Sequence, residues 1–117
     1  MASYAADKGS VSTSGMGVKV AATGSPGTTI HTATAGATNF DEVWMWAVNT
    51  SAIDVLLTIQ FGGVTAVDND IPFTVKAKDG LKIVLVGNRL NGGLLVKAYA
   101  DTTNVIVIYT NINRITA

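Results

Sequence analysis

The stretch Glu42-Val43-Trp44-Met45-Trp46-Ala47-Val48-Asn49 decides the fold class. Side chains alternate sides along an extended strand, so Trp44, Trp46 and Val48 share one face while Val43, Met45 and Ala47 share the other. Both faces are apolar. The stretch therefore reads as a central strand covered on both sides, with the two tryptophans in the core.

Working outward, the pattern repeats in shorter segments. In residues 55–61, Val55, Leu57, Ile59 and Phe61 point one way and Thr58 and Gln60 the other, the alternation of a half-buried strand. Ile71, Phe73, Val75 and Ala77 alternate with Thr74, Lys76 and Lys78. Residues 81–86, 94–100 and 105–109 are mostly apolar, 29–33 is a further candidate strand, and 112–115 either extends the last strand or closes the domain. Turn-forming clusters separate these segments, among them Gly62-Gly63, Asp68-Asn69-Asp70, Gly87-Asn88 and Asn91-Gly92-Gly93. No window carries a sustained helical stripe. The expectation is an all-β chain: an antiparallel β-sandwich, jelly-roll-like, over residues 28–117.

Residues 1–27 differ. Gly, Ser, Thr and Ala dominate them, with only a short candidate strand at 18–21. A flexible terminus and an extended arm lying across a neighbouring subunit share this composition. The arm is the reading carried forward, with Tyr4, Val11 and Met16 as its partner-contact residues.

The chain has 117 residues, enough for one self-sufficient core. Only 14% of them are charged, against roughly 25% in an average globular domain. A small domain needs more charge than that to stay hydrated on all sides, so the composition points to an oligomer or an assembly component. Eight basic residues offset eight acidic ones. Nucleic-acid binding leaves a basic footprint, and none is present. The sequence shows neither the apolar run of a secretory signal nor that of a membrane span, so the expectation is a soluble protein.

Reactive chemistry finds little to build on. The chain has no cysteine and one histidine, His31, which reads as a surface or packing residue rather than a general base. No Gly-x-Ser-x-Gly elbow and no phosphate-binding glycine loop appears. Asp68-Asn69-Asp70 starts like a calcium loop, but Phe73 stands where the turn needs glycine, so an acidic turn is the plainer reading. Asp41 and Glu42 are adjacent and would face opposite sides of a strand, which disqualifies them as a catalytic pair. The expectation is no enzyme, no cofactor and no metal.

Ile30-His31-Thr32-Ala33, the run from Phe40 through Thr50, Gly62-Gly63, Asn91-Gly92-Gly93-Leu94 and Asn111-Ile112-Asn113-Arg114-Ile115 together resemble the small head-associated virion proteins of tailed bacteriophages, the capsid decoration or cement proteins. The resemblance spans roughly residues 30–116 and is one of overall pattern. It implies a β-sandwich that trimerises on the capsid exterior, with the phage major capsid protein as partner, synthesis in the bacterial cytoplasm and no nucleic-acid or membrane contact. Two other readings stay open: a carbohydrate-binding module, which would expose Trp44, Trp46, Tyr99 or Tyr109 to stack on sugars, and a tail or head–tail connector component.

Overall fold

The structure, a computed structural model, describes residues 3–116. Nine strands run along them: β1 Ser3–Lys8, β2 Val18–Lys19, β3 Thr28–Thr32, β4 Phe40–Asn49, β5 Val55–Phe61, β6 Asp70–Val75, β7 Lys82–Leu90, β8 Leu95–Ala100 and β9 Ile106–Thr116. They form two antiparallel sheets packed face to face. The first has the order β1-β9-β4-β7, with β2 joining the same edge of β9; the second has the order β3-β8-β5-β6. Pairs β2·β9, β3·β8, β4·β7 and β5·β6 nest within one another, as in a ribbon doubled over at the β5–β6 hairpin and wrapped on itself. Pro72 lies in β6, an edge strand, where its missing amide costs no ladder bond.

The core fills the space between the sheets. Val43, Met45 and Ala47 of β4, Ile106, Ile108 and Ile112 of β9 and Leu85 of β7 meet Ile30, Leu57, Ile59, Val75, Val96 and Ala98 from the second sheet. The segment read as an arm supplies β1 and β2 to the first sheet and Val20 to this core. All six residues of β1 are exposed, since β1 rests on β9 along one edge only.

Three local expectations change. Trp44 and Trp46 are not core: they sit on the outer face of the first sheet, with Trp44 38% exposed, while the smaller Val43, Met45 and Ala47 point inward. The space between the sheets is filled instead by Val43, Met45 and Ala47 against Ile106 and Ile108. Gly87-Asn88 is not a turn but a bulge inside β7. Gly87 takes φ 81°, the Asn88 side chain accepts the Val86 amide at 3.1 Å, and the pairing with β4 slips there by a residue. Thr58 and Gln60 point away from the core yet are buried, Gln60 beneath Ser25 and Gly27, which bond to its side chain. Residues 112–115 continue the last strand, so β9 runs unbroken from Ile106 to Thr116.

Candidate functional site

Asp41 and His31 form the most constrained polar cluster. Both are buried at one end of the sandwich, Asp41 in β4 of the first sheet and His31 in β3 of the second. The Ser10 amide donates to His31 Nδ1 at 3.0 Å; the pattern assigns the proton to Nε2, which donates to Asp41 Oδ2 at 2.8 Å. The Arg114 guanidinium donates Nε to Asp41 Oδ1 at 2.7 Å and Nη2 to Oδ2 at 3.0 Å, and the Thr34 amide adds a bond at 3.1 Å. Burial alone would push the Asp41 carboxyl up. The bonds from Arg114 and His31, with the charge of Arg114, outweigh it and hold the group below its ordinary range. Arg114 is raised in turn by its bond to Asp41.

Serine, histidine and aspartate thus come together, but not as a nucleophile and base. Ser10 offers His31 its backbone amide, while its hydroxyl oxygen accepts the Thr32 amide at 2.7 Å. The cluster bolts one sheet to the other, with its carboxylate and imidazole buried.

Within the acidic turn Asn69 is bonded internally, while Asp70 Oδ1 is buried without a hydrogen-bond partner. Asn69 accepts the Thr65 amide and donates to the Phe61 carbonyl, closing the loop between β5 and β6. Among the described residues, no group of three or more His, Cys, Asp or Glu side chains is placed to hold a metal. A cleft of about 470 Å³ opens between Pro26, the Gly62-Gly63-Val64 loop, the Gly93–Leu95 turn and Lys97. Its walls are largely apolar, with Lys97 as the one charged side chain lining it.

The outer face of the first sheet is a different kind of surface. Register places its side chains in five rows: Tyr4, Ile115 and Phe40; Ala6, Asn113, Glu42 and Arg89; Lys8, Asn111, Trp44 and Val86; Tyr109, Trp46 and Ile83; Lys19, Val107 and Val48. Tyr4, Phe40, Trp44, Ile83, Val86 and Tyr109 are all exposed large apolar residues. Glu42, the carboxylate in these rows, is matched within them: it accepts from Asn113 at 2.9 Å and pairs with Arg89 at 3.4 Å. Two glycines fit the chain closely to the aromatics. A Cβ at Gly87 would come within 2.9 Å of the Trp44 ring, and one at Gly17 would overlap Val107 and crowd Tyr109. The rings are therefore held close to the sheet, giving a flat and pre-ordered surface.

Of the residues read as partner contacts, Tyr4 (67% exposed) lies on this face and Met16 (60%) flanks it beside Gly17. Val11 is exposed in the turn between β1 and β2. Period-two spacing could have located the face, because it puts Trp44 and Trp46 on one side; the partners Val86, Ile83 and Tyr109 come from distant strands and carry no local signal. Among the described residues, no helix is long and apolar enough to cross a membrane. Comparison with protein-family models, with curated proteins and with solved structures finds no match to this chain.

Proposed function

We propose that this chain is a structural virion protein that binds the outside of a bacteriophage capsid as a homotrimer and stabilises the shell. The observation that carries the reading is the exposed apolar face of the first sheet. It sits on a chain whose buried Asp41 and His31, with the partly exposed Arg114, are spent on holding the sheets together. A cement protein acts by covering surface on several neighbours, so it needs a rigid module with sticky faces and no reactive pocket. Placement at threefold positions lets modest contacts add through avidity. Zero net charge agrees with a position outside the shell, away from packaged DNA. We also read the nested strand order as a jelly roll, an architecture shared by capsid and lectin domains.

Mixing the purified protein with undecorated capsids and sedimenting them tests the reading. Co-sedimentation with a gain in shell heat resistance supports it, and protein left in the supernatant refutes it. A second reading, a carbohydrate-binding module, is favoured by the exposure of Trp44 and Tyr109 on one flat face. It requires tryptophan fluorescence to respond to a soluble glycan.

A further inference from the structure

We infer that the outer face of the β1-β9-β4-β7 sheet is the surface through which copies of this chain pack against one another. The inference rests on the assembly reading above and names which surface makes the multimer.

Area is the first argument. The six exposed apolar residues of the face leave on the order of 600 Å² in water if each is given about 200 Å² in full, before the half-buried Trp46, Val48, Val107 and Ile115 of the same rows are added. The largest apolar patch on an ordinary monomer is about 300–600 Å², whereas one partner in a standard stable interface buries about 800 Å². The face is the size of an interface. Nor does the exposure reflect an open fold: the total accessible surface is 6080 Å², close to the roughly 6,000 Å² of a compact monomer of this mass.

Charge is the second. Glu42 is already matched by Arg89 and Asn113, so covering the face strands no carboxylate. Lys8 and Lys19 lie in strands at the sheet margin, where they stay hydrated at the rim of a contact.

The occupant follows from solubility. A chain with 14% charged residues and zero net charge has little colloidal repulsion to keep such a face bare in solution. The face must be covered before any capsid is present, and the one surface always available at matching concentration is another copy. Aromatic rings already held against the sheet at Gly17 and Gly87 lose little freedom on contact, which favours a stable multimer. On the second sheet Ser25 and Gly27 are already bonded to Gln60, so part of that outer face is covered within the chain.

The test is solution mass by light scattering or sedimentation at micromolar concentration, on wild type and three variants. Ile83→Lys and Val86→Lys place a charge on the face at exposed positions, and Leu56→Lys does so on the outer face of the second sheet. The expected result is a multimeric wild-type mass, falling to that of one chain in Ile83→Lys and Val86→Lys but unchanged in Leu56→Lys. Circular dichroism and thermal unfolding confirm that each variant is folded. A wild-type monomer, or face variants that keep the multimeric mass, would overturn the inference. So would a monomeric wild type whose face answers to a glycan, or whose capsid binding Val86→Lys abolishes, since the face would then belong to that other occupant. A wild-type multimer that ignores capsids would instead remove the capsid reading and leave this interface standing.

Discussion

Asp41 in β4 and Arg114 in β9 stand opposite one another in the sheet, and the guanidinium holds both carboxylate oxygens, at 2.7 and 3.0 Å. Because His31 reaches the same carboxylate from the second sheet, Asp41 ties together β4, its neighbour in the chain β3 and the distant β9. Breaking a buried charged cluster by removing one member leaves the others desolvated and unpaired. Asp41→Ala is expected to cost about 3–5 kcal/mol in urea unfolding. Arg114→Ala, whose side chain is partly in water, should cost less, about 1–3 kcal/mol. Equal and negligible losses would show that the cluster contributes nothing to stability.

The same carboxylate sets an acid limb. Asp41 sits below its ordinary value of 3.8 in the folded chain, so the unfolded chain binds the proton first as pH falls. The stability that Asp41 contributes is complete above that ordinary value and is lost as pH drops through the lower folded one. Urea midpoints measured from pH 6 down to pH 2 should fall more steeply for wild type than for Asp41→Asn. Parallel curves would contradict the assignment.

Met45 and Trp44 are neighbours on opposite faces of β4, and their truncations should separate. Met45→Ala opens a cavity between the sheets and is expected to cost about 2–5 kcal/mol. Measured on dissociated monomer, Trp44→Ala should cost clearly less, since its ring is 38% exposed. The reverse order would mean that the inward and outward faces of β4 are exchanged.

Gly87 is constrained twice, by φ 81° and by the Trp44 ring. Gly87→Val adds a β-branched side chain to a left-handed backbone under an indole. A loss of about 2–3 kcal/mol is expected from strain and displaced packing, with a shift in tryptophan emission as Trp44 is pushed off the sheet. Unchanged emission would show that the ring does not rest there.

Gln60 anchors residues 22–27 by accepting the Gly27 amide at 2.8 Å and donating to Ser25 at 2.9 Å. Gln60→Ala should cost about 1–3 kcal/mol and raise amide exchange chiefly in that segment. Exchange that rises uniformly would indicate global rather than local loosening.

Strand positions were legible because alternation is a local property. Residues 55–61 read as one strand and form β5 over that same span, and the separation of Asp41 from Glu42 onto opposite faces follows from adjacency alone. The buried role of His31 was not legible, since its partners Asp41 and the Ser10 amide carry no mark of their pairing until the chain folds. Gln60 looked solvent-facing because the segment that covers it lies 33 residues away.

What the sequence determined by itself was the alternation: Trp44, Trp46 and Val48 on one side of β4, Val43, Met45 and Ala47 on the other, in an all-β chain with little charge. Which side meets the second sheet was a tertiary decision. Each side of β4 carries one acid near its start, so polarity did not separate them. Asp41 can turn inward because Arg114, aligned across the sheet, and His31, from the opposite sheet, satisfy its charge. That choice leaves Trp44, on the aromatic side of β4, partly in water.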